Sequence, residues 1–200
     1  MKVAFVVFNG LTLLDFVGVY DPITRLKSMQ FLPDLTWDIC ALTPEVVDSA
    51  GLALKPTRVA APLTDYELVI IPGGLATRQL RFDEAYLSWI KTAAGARLKV
   101  SVCTGALIWG AAGFLAGHTA TTHPTAFDLL RPYCAAIVER RIVDEGEIVT
   151  ARGVTAALDL GLYLCEKLAG REAREKICQQ MDYPYGEAAA IISATPSGRK

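Results

Sequence analysis

Lys99-Val100-Ser101-Val102-Cys103-Thr104-Gly105-Ala106 is the stretch that decides how the chain is read. A short apolar strand runs into an abrupt turn, and small residues open a helix behind it. Ser101, two before the cysteine, and Gly105, two after, are small because a strand that turns sharply into a helix crowds its own backbone. This is the layout of a nucleophile elbow, with cysteine where hydrolases carry serine. The turn lifts the side chain out of the sheet and points it at a cleft. The helix that follows offers free N–H groups and the positive end of its dipole, which favours a thiolate at Cys103. The competing reading is a buried cysteine at a strand end, where free thiols are often found.

Working outward, strand-like and helix-like runs alternate. Strands are expected over residues 3–8, 37–42, 68–71 and 99–102. A helix is expected over 11–26, with Leu14, Val17 and Ile23 toward the core, and a hairpin within 47–59 around Gly51. An amphipathic helix over 83–94 starts with an acidic cap, and a helix over 105–112 follows the elbow. A short helix runs from Pro124 to residue 130. Segments 137–143 and 148–151 bracket Asp144-Glu145-Gly146-Glu147 as a hairpin, and helices over 154–168 and 171–181 complete the pattern. This alternation predicts an α/β sandwich of three layers, a mostly parallel sheet with helices on both faces. One domain is expected over 1–185, with 186–200 a loosely ordered tail or an arm. Ligands of open α/β sheets bind at the carboxyl ends of strands. Residues 9–15, 72–75 and Cys103-Thr104 fall there.

The composition narrows the class. Two hundred residues with 52% hydrophobic and 20% charged suit one domain with a substantial core. A net charge of −1 gives no electrostatic case for nucleic acid or an anionic membrane. No apolar run has the length of a membrane span, and the N-terminus lacks the pattern of a signal peptide, so a cytoplasmic protein is expected. Five cysteines, at 40, 103, 134, 165 and 178, are an odd number without close pairs. That fits neither a disulfide framework nor a zinc site. Cys40, Cys165 and Cys178 read as core residues and Cys134 as lying near a loop. With two histidines and no ligand spacing, no metal is expected, and no cofactor is called for.

Three further features belong with Cys103. Asp15 interrupts an apolar stretch, Leu13, Leu14, Phe16 and Val17. Desolvated there, its pKa would rise and it could donate a proton near neutrality. Equally, it could sit near a helix N-terminus and face solvent. Pro72-Gly73-Gly74 after a strand lets backbone N–H groups approach a ligand, and the N–H groups of Gly74 and Thr104 could together form an anion-stabilising hole. His123, in Thr121-Thr122-His123-Pro124, could be a base for Cys103, or could cap the next helix or hold a loop.

Taken together, the chain resembles the ThiJ/PfpI superfamily to about Tyr185. The resemblance is carried by Ile70-Ile71-Pro72-Gly73-Gly74, Ser101-Val102-Cys103-Thr104-Gly105-Ala106, Gly110-Ala111-Ala112-Gly113-Phe114-Leu115, Ala120-Thr121-Thr122-His123 and Val154-Thr155-Ala156-Ala157-Leu158-Asp159. It implies a flavodoxin-like sandwich, a cysteine at the elbow and, usually, a homodimer. Within the superfamily the chain looks most like the isonitrile (isocyanide) hydratase branch. Members of that branch place an aspartate where Asp15 falls. The protease-like branch has histidine after the cysteine, where Thr104 stands here, which weighs against a peptidase triad. The deglycase-like branch uses glutamate at the Asp15 position. Two positions depart from the hydratase pattern: Val19 replaces a proline in Asp15-Phe16-Val17-Gly18-Val19, and Arg152-Gly153 stands where Gly-Gly is frequent. Arg152 could bind an anionic substrate group or brace a dimer.

The implied reaction is hydration of an isonitrile, a small-molecule substrate, to an N-substituted formamide. The Cys103 thiolate attacks the terminal carbon, protonated Asp15 supplies that carbon with a proton, and water releases the product from a thioimidate. Gly74 and Thr104 stabilise charge on the adduct, while Gly73, His123 and Thr155 line the pocket. Two alternatives use the same cysteine: a glyoxalase or deglycase-type enzyme acting on small α-oxoaldehydes, and a sensor working through oxidation of Cys103 or ligand binding. Superfamily members that serve as the sensing half of AraC-type regulators carry a downstream DNA-binding domain, and none is expected here after the last core helix.

Overall fold

Val3 to Val6 and Leu68 to Ile71 are almost wholly excluded from water, and these two apolar runs form the centre of the sheet. In the computed structural model, which describes residues 1–184 and 191–193, the first half contains β1 (Lys2–Val6), α1 (Leu13–Ser28), β2 (Thr36–Ala41), β3 (Val46–Val47), β4 (Ala53–Leu54), β5 (Arg58–Val59), β6 (Leu68–Ile71), α2 (Thr77–Leu80) and α3 (Glu84–Lys91). The second half contains β7 (Leu98–Val102), α4 (Ala106–Ala111), β8 (Thr119–Ala120), α5 (Phe127–Leu130), β9 (Ala136–Ile137), β10 (Ile142–Asp144), β11 (Ile148–Ala151), α6 (Ala156–Ala169), α7 (Arg171–Gln180) and β12 (Ile191–Ser193).

Eight strands pair in the order β12-β10-β11-β7-β6-β1-β2-β5. Every neighbouring pair is parallel except β10 and β11. From β1 the chain steps outward to β2, whereas from β6 it steps the other way to β7. Right-handed crossovers therefore send the intervening helices to opposite faces. Accordingly α1, α6 and α7 pack together in one layer, and α2, α3, α4 and α5 in the other. A parallel sheet covered on both sides needs strands apolar on both sides. All four residues of β6 and all five of β7 are buried, which is why these segments read as continuous rather than alternating apolar runs.

The fold is the α/β sandwich the sequence predicts, with local corrections. Leu14 and Val17 are 40% and 36% exposed, so they are not core residues. Helix α1 is rotated so that Asp15, Phe16, Val19, Ile23 and Leu26 face inward. The 47–59 segment does hold a hairpin, β3 with β4, but β5 leaves it to extend the main sheet beside β2. The hairpin around Asp144-Glu145-Gly146-Glu147 begins at Ile142 rather than at 137. Ala136 and Ile137 pair with β8 instead. Asp83 caps α3 as expected, its Oδ1 accepting the Tyr86 N–H at 3.0 Å. Cys40, Cys165 and Cys178 are buried. Within the segment expected to be a loose tail, Ile191–Ser193 forms β12 and pairs with β10. The rest of that segment lies outside the described residues.

Candidate active site

The chain turns out of β7 at Val102 and straight into a short 3₁₀ turn, Cys103–Gly105, that leads into α4. Cys103 has φ +55°, a left-handed conformation that costs a non-glycine residue on the order of 1–3 kcal/mol and persists only where its surroundings hold it. They do so here. The Cys103 N–H donates to the Arg152 carbonyl at 3.3 Å, and the buried Thr122 hydroxyl donates to the Cys103 carbonyl at 2.7 Å. Gly105 must be small: a Cβ there would sit 2.3 Å from the Ile71 carbonyl oxygen. The elbow read from the sequence is thus present, and Thr122, to which the sequence assigned no role, is one of its braces.

Asp15 meets it from the other side of the β6 terminus. The segment before α1 is tied to β6 by the Thr12 N–H donating to the Gly73 carbonyl at 2.9 Å. One turn later the Asp15 side chain is fully buried. Its Oδ2 accepts the Gly73 N–H at 3.0 Å, and its carboxyl group interacts with the Cys103 thiol. Oδ1 is a buried oxygen with no hydrogen-bond partner among the described residues. Of the two readings of Asp15, the desolvated acid is the one found. Burial drives its pKa up from 3.8 to about 7, against the opposing pull of the Cys103 and Gly73 hydrogen bonds.

The thiol does not follow the expectation of a ready thiolate. Burial first, and then the charge of Asp15, push the Cys103 pKa up to about 12, outweighing the Thr104 backbone and hydroxyl contacts that favour the anion. Only a 3₁₀ turn and the six residues of α4 follow the cysteine, and a helix of that length carries a weak dipole. Above about pH 7 the pair therefore holds one proton, with thiol beside carboxylate. The carboxylate is placed to take the sulfur's proton as the sulfur attacks, and then holds it as an acid.

Gly73 is where these groups converge. A Cβ there would lie 2.6 Å from the Thr104 nitrogen and 2.7 Å from both Asp15 Oδ2 and Cys103 Cβ. It is a spacer behind the reacting pair. Gly74 is a correction to the expected anion hole: its N–H donates to the Thr104 hydroxyl at 3.0 Å, and that hydroxyl lies 3.0 Å from the Gly74 carbonyl. The Gly74 N–H is thus satisfied inside the protein, while the Thr104 N–H lies at the sulfur.

A cleft of about 150 Å³ opens over Cys103, lined among others by Thr12, Leu75, Arg78, His123 and Val154. His123 is close: its Cδ2 and the Cys103 Sγ would lie 2.8 and 2.7 Å from a Cβ on Gly153. The Thr125 N–H donates to His123 Nδ1 at 3.3 Å. His123 is thereby both a cleft wall and the N-cap of the next turn. Thr155 is a further correction: it is exposed, outside the cleft lining, and its hydroxyl accepts from Arg141 at 3.2 Å. Arg152 is directed to Phe127 and Glu139 instead of the cleft. The sequence reading missed Arg78 and Gly153. Gly153 is visible only as the second half of Arg152-Gly153, and Arg78 carries no local signal. Among the described residues, no group of three or more His, Cys, Asp or Glu could hold a metal ion, and no helix is long and apolar enough to cross a membrane.

Residues 1–167 match the model of the DJ-1/PfpI family. The chain is 37% identical over 184 residues to an isonitrile hydratase of Pseudomonas putida, covering 92% of this chain and 78% of that protein. It superposes on the crystal structure of a ThiJ/PfpI family protein from Pseudomonas syringae with a TM-score of 0.81 and 32% identity, over 92% of this chain and 75% of the other. DJ-1beta of Drosophila melanogaster, 19% identical over 90% of this chain and 96% of its own, shares the fold with a TM-score of 0.78. With an elbow cysteine, a buried carboxyl partner and the sheet order that places them together, the chain belongs to the DJ-1/PfpI family.

Proposed function

We propose that the protein is an isonitrile hydratase-like hydro-lyase that acts through Cys103 and Asp15. The observation that carries the reading is the buried carboxyl group of Asp15, with a pKa near 7, paired with the thiol of an elbow cysteine. An isonitrile R–NC asks for a soft nucleophile and a proton delivered to the same carbon. In the singly protonated pair, the Asp15 carboxylate receives the thiol proton while sulfur bonds to the terminal carbon. Asp15 then gives that proton to the carbon, leaving a neutral thioimidate, R–N=CH–S–Cys103, and a carboxylate. Water adds to the thioimidate, its hydroxyl to carbon and its other hydrogen to nitrogen. Collapse of the adduct forms the formyl C=O and expels sulfur, and Asp15 carries the hydroxyl proton back to the thiol. The sum is R–NC plus water to R–NH–CHO, with no other reactant. The similarity to the Pseudomonas putida isonitrile hydratase supports this choice within the family.

The fixed contacts suit the sequence of steps. Gly73 holds one carboxyl oxygen in place, leaving the other for proton transfer. The Thr104 N–H at the sulfur favours negative charge on the leaving thiolate in the second half-reaction. We further propose that the protein works as a homodimer in the cytoplasm. The test is incubation with p-nitrophenyl isocyanide and measurement of the formamide, beside Cys103→Ala. Turnover by the parent chain and its loss in the variant are expected. Formamide formed equally by Cys103→Ala sinks the mechanism. Absence of turnover by protein with reduced Cys103, together with lactate formed from methylglyoxal, would put the α-oxoaldehyde reaction in its place.

A further inference from the structure

The charge of the cleft is one-sided. Arg78 is the only formally charged side chain among the described residues that line it. Its guanidinium has no carboxylate partner among the described residues. Its side-chain hydrogen bond is one Nη2 contact to the Thr125 hydroxyl at 3.3 Å, so most of its five N–H donors are unspent. The same Thr125 oxygen lies 2.8 Å from His123 Nδ1. The Thr125 oxygen accepts from Arg78 and so ties the guanidinium to the His123 ring. The chain of contacts fixes Thr125 and His123 relative to Arg78. Asp15, the acid of this site, is fully buried, and no ion pair joins it to Arg78 among the described residues.

We infer that Arg78, oriented by Thr125, forms an anion subsite in the Cys103 cleft, and that the substrate carries a carboxylate on the part remote from the reacting carbon. This deepens the proposed function, since it rests on that cleft being the reaction site, but it does not depend on which electrophile reacts there. Guanidinium pairs with carboxylate through two parallel charge-assisted bonds that few other side chains offer. A cavity of about 150 Å³ is the size that accepts a single ring, so a ring bearing one carboxylate is a fitting probe. The exposed Leu75 beside Arg78 in the lining supplies apolar surface for the ring.

The experiment reads binding apart from turnover. Cys103 is alkylated with iodoacetamide at fixed pH, and its modification is followed by peptide mass, which separates it from the other four cysteines. Benzoate and its neutral isostere benzamide are added as protecting ligands. Benzoate is expected to slow alkylation of Cys103 at lower concentration than benzamide. Its half-protecting concentration should rise about tenfold in Arg78→Gln and less in Arg78→Lys, the loss of one charge-assisted contact. Added salt should weaken benzoate protection and leave benzamide unaffected. Protection by benzamide shows that a variant's cleft is intact. Equal protection by both ligands in the parent chain, no protection by benzoate, or an unchanged half-protecting concentration in Arg78→Gln overturns the inference. A failure of isonitrile turnover leaves these outcomes readable.

Discussion

At the scale of the residue, the account turns on one proton shared by two buried groups. Burial raises Asp15 to about 7 and Cys103 to about 12, so the singly protonated pair prevails above about pH 7. Asp15 was half legible: an acid among Leu13, Leu14, Phe16 and Val17 had either to be desolvated or to face water, and local sequence does not say which way a helix is rotated. The rotation is set by contacts far along the chain, the Gly73 N–H among them. The resemblance placed an aspartate beside the nucleophile, where the local pattern left both readings open. His123 was legible as a member of the site and as a candidate cap, but the choice between cap and base was not, because the Nδ1 partner is a backbone N–H two residues on. Thr155 was misplaced for the opposite reason. A hydroxyl after a glycine at a helix start satisfies every local rule, and only the position of Arg141 shows that it faces outward. Gly153 gives a direct prediction at this scale. A Cβ there would press on the Cys103 sulfur at 2.7 Å and on the His123 ring at 2.8 Å. Its φ is not left-handed, so Gly153→Ala should fold normally and displace the sulfur. Turnover should fall about 100-fold, as misplacement by about an ångström does, with the circular dichroism spectrum unchanged. Turnover within twofold of the parent would mean that the sulfur does not need its present position.

At the scale of the element, the elbow was the most legible part of the chain, and the physics explains why. Its requirements are local: a strand, a residue forced to positive φ, and small neighbours. Gly105 is small because of the Ile71 carbonyl, a contact with the adjacent strand that any parallel neighbour would make. The central strands β6 and β7 were equally clear, since burial on both faces leaves an apolar run that nothing else produces. The short strands were not. Two-residue strands such as β5 and β8 are too brief to show a period, and their partners, β2 and β9, are fixed by tertiary packing. Helix α1 was found, but its face was set out of phase, placing Leu14 and Val17 inside. A helix that buries a carboxyl group breaks the pattern by which its apolar face is recognised.

At the scale of the molecule, the buried acid leaves a mark on stability. Asp15 holds its proton in the folded state up to about pH 7, whereas in the unfolded chain it ionises near 3.8. Between those values the unfolded state has released a proton that the folded state keeps, so stability falls as pH rises, and the loss ends once both states are ionised. At about 1.4 kcal/mol per pK unit the loss is on the order of 4 kcal/mol. Asp38 and Asp48 are shifted the other way, so the comparison is with Asp15→Asn. The advantage of the parent over the variant in urea unfolding should shrink from pH 4 to pH 7 and then stay level. Parallel stability curves across that range would show that Asp15 is ionised in the fold. The central claim, that this ionisation readies Cys103 for attack and that Asp15 then returns the proton to carbon, is tested most directly by the pH dependence of kcat/KM for formamide formation from an aryl isonitrile. The account predicts a rise with a midpoint near pH 7, a plateau above it, and a fall of about 100-fold or more in Asp15→Asn. A profile flat from pH 5 to 8, or an Asp15→Asn variant that keeps the parent's rate, would contradict it.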